Sequence, residues 1–414
     1  MCENQFDNLI IKRRKNISNT LTRYFPKELA ELISNYDYYF EGKSYSLKIP
    51  SKCQGHSSIR SIIVLPGGRI ANESFDNKIN IWNSLNGIHE STFSGDFCTR
   101  YCNSVLPDGR MVGYSIDNMT LKIWNPFTGN IDNTFSGHKN MIYCCVVLPD
   151  FPNRIVTGSW DHTLKVWNSI TGRCDISFEE HSNVITCIAI ILFKDEDYRI
   201  VSGSCDGLIK MWNPQNGKCD MTFVGNHVRF SVSTYSVNKI IIGSDGTKII
   251  AGYENGVVRI WNASTGKCDT IFIDDNYPVK HLAIIPDGRI VSGLVSRNIL
   301  KIWNAQTGGC ESILKHSGIV KCVAVLPDGR IITGSSDCRI NIWDPFGSAE
   351  QPVGSVEQPV GSVEQPVGSL ASPRQPQTGN RDFISDYCDI NYITVLPDGR
   401  IATDSYYNTV EIWC

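Results

Sequence analysis

Thiols and imidazoles are the side chains of this chain best suited to chemistry: its 414 residues include 16 Cys and 8 His. A thiolate serves as a nucleophile or a metal ligand, and each role demands its own spacing. Cys174, Cys219, Cys268 and Cys310 each follow a Thr-Gly-x or Asn-Gly-Lys turn at the same phase of a longer period. That regularity assigns them a place in a repeated strand, not in a metal centre. Cys144 and Cys145 are adjacent, the wrong spacing for a zinc CxxC pair. The many Asp-Gly-Arg triplets are hairpin turns, not metal-binding loops. No Ser or Cys nucleophile recurs with a consistent base, and no phosphate-cradling glycine loop is present. The expectation is a protein without catalytic residues, metal or cofactor. An enzyme would need acid, base or metal ligands converging at one mouth, and no such cluster is legible.

The elements that position these residues recur with a long period. Trp82, Trp124, Trp167, Trp212, Trp261, Trp303, Trp343 and Trp413 each follow a branched apolar residue or Met, mostly in the form Ile-Trp-Asn, at intervals of 42, 43, 45, 49, 42, 40 and 70 residues. A period of 40–45 with internal strand patterning marks a propeller array. Within residues 311–346, apolar residues 319–326 read as a strand, Pro327-Asp328-Gly329 as a turn, 330–334 as a returning strand and 339–343 as a third. Stretches such as TGKCDTIF at 265–272 supply a fourth. No sustained helical stripe occurs between 55 and 346. The predicted fold is all-β: an eight-bladed propeller over residues 44–414, each blade four-stranded. The eighth unit ends after its third strand, and residues 44–49, SYSLKI, are expected to supply its fourth and close the ring.

Two intervals are long. The 49-residue one reflects an insertion near 226–238, and the 70-residue one contains a heptapeptide, GSVEQPV, repeated within 347–367. Gly and Pro in every seven residues rule against a coiled coil, so 347–377 is expected as a low-complexity loop, with TGNRDFIS at 378–385 resuming the fourth strand of the seventh blade. The net charge of −3 offers no basic excess for nucleic acid, and no window of eighteen apolar residues spans a membrane. The N-terminus lacks the order of a signal peptide, and reduced thiols in the cytoplasm are expected, with Lys12-Arg13-Arg14-Lys15 in a flexible segment over 1–20 as a route to nuclear entry.

The units resemble WD40 repeats along most of the chain. In that family a His near the start of the unit, an Asp in the later turn, a strand Ser or Thr, and the Trp form a buried network. The resemblance assigns this structural role to His56, Asp76 and Trp82; to His138, Asp161, Ser159 or Thr157, and Trp167; to His181, Asp206 and Trp212; and to His316, Asp337 and Trp343. Repetition around a ring, each pair beside a Trp, makes these pairs structural rather than catalytic dyads. The second, sixth and eighth units depart from the pattern and are expected to have weaker local support. In this family residues early in the first strand of each blade project near the partner-binding surface. By register these are Arg60, Tyr101, Tyr143, Thr186, Lys280, Lys321 and Asn391. Their mixture of cations and aromatics suits a protein or peptide target, including an acidic or phosphorylated one.

Ahead of the repeats, residues 21–43 read LTRYFPKELAELISNYDYYFEGK. Pro26 suits a first helical turn, and Leu29, Leu32 and Ile33 share one face of the helix that follows. FPKELAELISNY resembles the opening of an F-box, and its combination with DYYFEGK and VLPDGR-rich repeats is similar to F-box/WD-repeat proteins of large DNA viruses. The resemblance implies that Pro26, Leu29, Leu32 and Ile33 bind the adaptor subunit of a cullin-type ubiquitin ligase while the propeller holds a target. The alternative is a structural or assembly scaffold in which this helix caps the ring.

Overall fold

Short runs of branched residues between Gly-containing turns give the chain its strands. In Ile142–Val147 and Ile155–Ser159 the β-branched side chains fit a pleated surface packed on both faces. The computed structural model describes residues 44–47, 59–345, 354–357 and 390–413, except for 75–77, 85–87, 95–103, 116–118, 150–153, 194–196, 226–234, 244, 275–276, 295–296, 338 and 405–409. The helix expected over 21–43, with Pro26, Leu29, Leu32 and Ile33, lies outside these residues, as do His56, Asp76 and Tyr101.

The described strands form eight antiparallel sheets of four. Seven follow chain order, each a meander from an innermost to an outermost strand. Blade 1 runs Ile59–Leu65, Arg69–Ser74, Lys78–Asn83 and His89–Ser94. Blade 4 runs Ile185–Leu192, Tyr198–Ser204, Ile209–Trp212 and Cys219–Phe223. Blade 8 joins Ile393–Val395, Ile401–Asp404 and Val410–Trp413 to Ser44–Leu47, which pairs antiparallel with the last of these, Ser44 opposite Trp413. Innermost strands of successive blades touch all the way round, and the first touches the eighth.

The core lies between blades rather than within them. Eight clusters of buried apolar side chains each join two neighbouring blades. One joins Ile62, Ile70 and Trp82 of blade 1 to Leu396, Ala402, Val410 and Ile412 of blade 8. Second and third strands are buried almost throughout, as in Ile331–Ser335 and Arg339–Trp343, whereas the outermost strands expose alternate residues. A single sheet has two apolar faces, and only radial stacking covers both.

The heptapeptide contributes a strand where a loop was expected. Gly354–Glu357 is the outermost strand of blade 7, with Val356 opposite Ile340. An outermost strand needs backbone pairing along one side only, so a four-residue stretch between prolines suffices. The segment 378–385, expected to fill this place, lies outside the described residues.

Glycines in the second strands let blades approach. A Cβ at Gly203 would lie 2.6 Å from Val237 Cγ1 and 2.8 Å from Cys187 Sγ. Replacing Gly203 by Ala should therefore destabilise the protein by about 1–3 kcal/mol through overpacking at the interface of blades 4 and 5. A lowered urea midpoint with an unchanged slope is the expected result.

Candidate partner-binding surface

Two constellations look like hydrolytic triads. His181 Nδ1 lies 2.8 Å from Asp206 Oδ2, and its Nε2 lies 2.8 Å from Ser202 Oγ. In blade 3, His138 makes the same contacts, 2.8 Å to Asp161 Oδ2 and 2.7 Å to Thr157 Oγ1. Each hydroxyl is already engaged, accepting the indole N–H of Trp212 or Trp167 at 2.8 Å. Ser202 and Thr157 have no exposed surface. The proton path is closed: indole to hydroxyl, hydroxyl to Nε2, Nδ1–H to carboxylate, which fixes the histidine tautomer. No acyl group can reach such a hydroxyl, and the network ties second strand, third strand and later turn together. Burial by itself would raise the Asp161 carboxyl, but hydrogen bonds from His138, Thr163 and the Lys139 amide hold it well below the usual range.

Other blades solve the same problem differently. In blade 1, Trp82 Nε1 donates to Asn72 Oδ1 at 2.6 Å. In blade 2, Trp124 Nε1 turns to the Gly129 carbonyl at 3.1 Å. Blade 6, expected to be weak, has a full network: Trp303 Nε1 donates to Ser292 Oγ at 2.7 Å, Ser292 donates to Asp274 at 2.5 Å, and Lys301 Nζ closes on Asp274 at 2.9 Å. A carboxylate and an ammonium replace the imidazole. Blade 5 is a weak point the sequence reading passed over. Ala251 stands where blades 3, 4, 6, 7 and 8 have a hydroxyl, and Trp261 Nε1 has no hydrogen-bond partner among the described residues. Arg259 fills the space beside it, over the ring of Tyr253 at 5.0 Å, and a Cβ at Gly225 would collide with its guanidinium.

Blade 7 corrects one expected pairing. His316 does not meet Asp337. Its Nδ1 accepts from Asn341 Nδ2 at 3.1 Å, its Nε2 has no partner among the described residues, and Asp337 takes Ser317 and Ser335 instead. The cause is spacing. Phe135 and Phe178 stand three residues before their histidines, Leu314 only two before His316, so Ser317 falls in the histidine register. Trp343 still donates to Thr333 at 3.0 Å.

The cysteines are not poised for chemistry. Cys174, Cys219, Cys268 and Cys310 open outermost strands, each opposite its blade's Trp. Burial pushes the thiols of Cys144 and Cys322 well up, and that of Cys187 to about 11. Cys145 is disulfide-bonded and the other described cysteines are free, so thiols throughout the chain is not what is found. Among the described residues no group of three His, Cys, Asp or Glu could hold a metal ion.

The residues placed by register on the partner face share one local geometry. Arg60, Tyr143, Thr186, Lys280 and Lys321 are each the extra residue of a β-bulge near the start of an innermost strand. Asn238 of blade 5 is a sixth, missed because the adjacent insertion hid its register. A bulge re-aims its side chain out of the pleat, and here the bulges recur at one end of the central channel. Their fates differ. Thr186 donates to the carbonyls of Gly203 and Val237 and so laces blade 4 to blade 5. Asn238 donates to Glu254 at 2.7 Å. Lys280 and Asn391 are exposed, while Tyr143 and Lys321 are half-buried. Exposed Lys239 follows the blade 5 bulge, and burial, then Lys239 and Lys280, push His281 down to about 4. The turns at this end add an exposed Trp160, and Arg297 stacked 4.0 Å over Tyr277. Trp160 is the tryptophan outside the periodic set, which was the available signal. Beside it His162 adopts φ 69°, where blade 4 has Gly207 at 83°.

Four segments, 129–168, 172–213, 217–262 and 308–344, match the family model for the WD domain, G-beta repeat. Each ends at or just past a buried Trp. The matched segments are WD40 repeats, and they sit in a ring of eight four-stranded blades. Among solved structures it is similar to a computationally designed protein, Ika8, with a TM-score of 0.65 and 20% identity over 87% of this chain and 96% of that one, a likeness of fold. No curated protein matches the chain.

Two outcomes test the buried networks of these blades. Ser202→Ala strands both Trp212 Nε1 and His181 Nε2 in a dry interface and should cost about 2–4 kcal/mol in urea denaturation. Glu411 of blade 8 is 4% exposed, its Oε2 has no partner among the described residues, and burial pushes its carboxyl up to about 7. A raised carboxyl contributes stability that is present below its unfolded value of 4.5 and is lost as pH rises through 7. Glu411→Gln should therefore melt a few degrees above wild type at pH 8, with the gap closing by pH 5.

Proposed function

We infer that this WD40 propeller is a non-enzymatic protein-interaction scaffold whose target docks at the end of the channel where the bulge residues gather. The observation that supports this reading is the repetition of the bulge in six blades, at positions 60, 143, 186, 238, 280 and 321 near the starts of the innermost strands. Lys239 and Arg297 add cations there, and Trp160 and Tyr277 add exposed aromatic surface. Aromatics and Arg are the side chains that anchor interfaces, and clustered cations favour an acidic or phosphorylated peptide. Tyr101 and Asn391 belong to the same register.

The finer reading is a substrate receptor. Pro26, Leu29, Leu32 and Ile33 resemble the opening of an F-box, so residues 21–43 recruit a cullin-ligase adaptor while the propeller holds the target. The same residues, with DYYFEGK and the VLPDGR hairpins, support kinship with F-box/WD-repeat proteins of large DNA viruses, acting in the host cytoplasm. Ser44–Leu47, paired into blade 8, would then link this recruiting element to the closed ring.

Affinity purification with mass spectrometry separates the two halves of the reading. Leu29→Asp with Leu32→Asp should lose the ligase adaptor and keep the target. Lys280→Glu with Lys321→Glu should keep the adaptor and weaken the target about 10–100-fold. With circular dichroism confirming folded variants, retention of every partner by the second pair contradicts the docking surface, and retention of the adaptor by the first contradicts the receptor.

A further inference from the structure

Blade 5 buries a cation that meets no carboxylate among the described residues. Arg259 lies on the third strand of the blade, opposite Ala251 of the second. The same position holds Lys210 in blade 4, opposite Ser202, and Lys301 in blade 6, opposite Ser292. In both of those blades an acid two residues past the preceding blade's outermost Phe meets the cation. Glu180, two past Phe178, lies 3.2 Å from Lys210 Nζ, and Asp274, two past Phe272, lies 2.9 Å from Lys301 Nζ. For blade 5 the residue two past Phe223 is Gly225. The Arg259 guanidinium takes the space of the side chain that glycine lacks: a Cβ there would lie 1.9 Å from Nη1 and 2.6 Å from Cζ.

The four acids between residues 235 and 274 are engaged elsewhere. Asp245 accepts from Thr247 and Glu254 from Asn238, while Asp269 pairs with Lys248 and Asp274 with Lys301. The sequence of the insertion, 226–234, contains no Asp or Glu. Two further polar groups share the condition of Arg259. Trp261 is two residues past Arg259 and Tyr253 two past Ala251, so all three side chains lie on the face of the sheet turned toward blade 4. Arg259 Nε, Trp261 Nε1 and the Tyr253 hydroxyl have no hydrogen-bond partner among the described residues, although these side chains belong to residues only 7%, 3% and 1% exposed. Burial pushes the Tyr253 hydroxyl up to about 12, and Arg259 and Trp261 act on it in the opposite direction, which sets the three groups side by side. Arg and Trp can only donate hydrogen bonds, and a tyrosine hydroxyl donates as well. Three donors around one point, one of them a buried charge, are satisfied best by an acceptor that is itself negative. A water molecule would accept from two of them and leave the charge uncompensated.

We propose that the interface of blades 4 and 5 binds a small inorganic anion of the size of chloride, held by Arg259, Trp261 and Tyr253. The anion accepts from the Arg259 Nε–H, the indole N–H and the phenolic O–H, and it neutralises the guanidinium. It does for blade 5 what Glu180 does for blade 4 and Asp274 for blade 6. The site lies between sheets, apart from the target-docking rim, and does not rest on that reading.

The full-length protein is dialysed into sodium gluconate and titrated with sodium chloride at constant ionic strength, with melting followed by circular dichroism. Chloride should raise the melting temperature by a few degrees along a saturating curve. Bromide should do the same and, in crystals, give an anomalous peak between Arg259, Trp261 and Tyr253. Arg259→Met removes the charge, keeps most of the stem and should abolish the response. Tyr253→Phe keeps the ring that packs in the core, so it should fold as wild type does and weaken chloride about tenfold. Lys280→Glu with Lys321→Glu should respond like wild type, and loss of the response there would put the anion at the rim and contradict the site. Absence of a chloride response, an undiminished response in Tyr253→Phe, or bromide bound only elsewhere overturns the proposal.

Discussion

An indole N–H buried between two sheets must find an acceptor, because water does not reach it. This constraint organises the propeller. The repeated Trp is large enough to fill the wedge between blades, and it packs against the outermost-strand aromatic of the preceding blade, Phe178 against Trp212 at 5.0 Å for example. In five blades its N–H meets a polar atom on the second strand of its own blade. Thr157, Ser202, Ser292, Thr333 and Asn72 supply it. Once a hydroxyl is buried there, it in turn needs an acceptor, and His, or Asp274 with Lys301, completes the chain of bonds. Geometry that looks catalytic is thus the consequence of satisfying buried polar groups in sequence.

The same repetition produces two unlike ends. At one, bulges recur near the starts of the first strands, where the sequence varies from blade to blade. At the other, a cation follows the hairpin turn in blade after blade, and Arg154, Arg289 and Arg400 donate to carbonyls of the next blade. Variation on a fixed backbone is what a recognition surface needs, and uniformity is what a clamp needs.

Much of this was legible from the spacing of tryptophans. A period near 43 residues implied eight four-stranded units, and register read with the family resemblance chose seven residues, five of which sit at bulges. The rest was hidden for physical reasons. Asn238 escaped because the insertion before it broke the count. Asp274 escaped because a carboxylate replaces an imidazole only when Lys301 neutralises it from the next strand, a contact that sequence order does not reveal. The outermost strand at Gly354–Glu357 escaped because Gly, Ser and Pro composition reports backbone freedom, whereas an edge pairing depends on proximity to an existing strand. His316 looked like its counterparts, and only its shorter distance from Leu314 signalled the altered pairing.

The central claim is that recognition occurs at the bulge-lined mouth. Placing a photo-crosslinking residue at position 280, on the rim, and at position 175, on the exposed edge of blade 3, tests it most directly in cells. The account predicts one protein captured from position 280 and absent from position 175. Equal capture of the same proteins from both positions would contradict it.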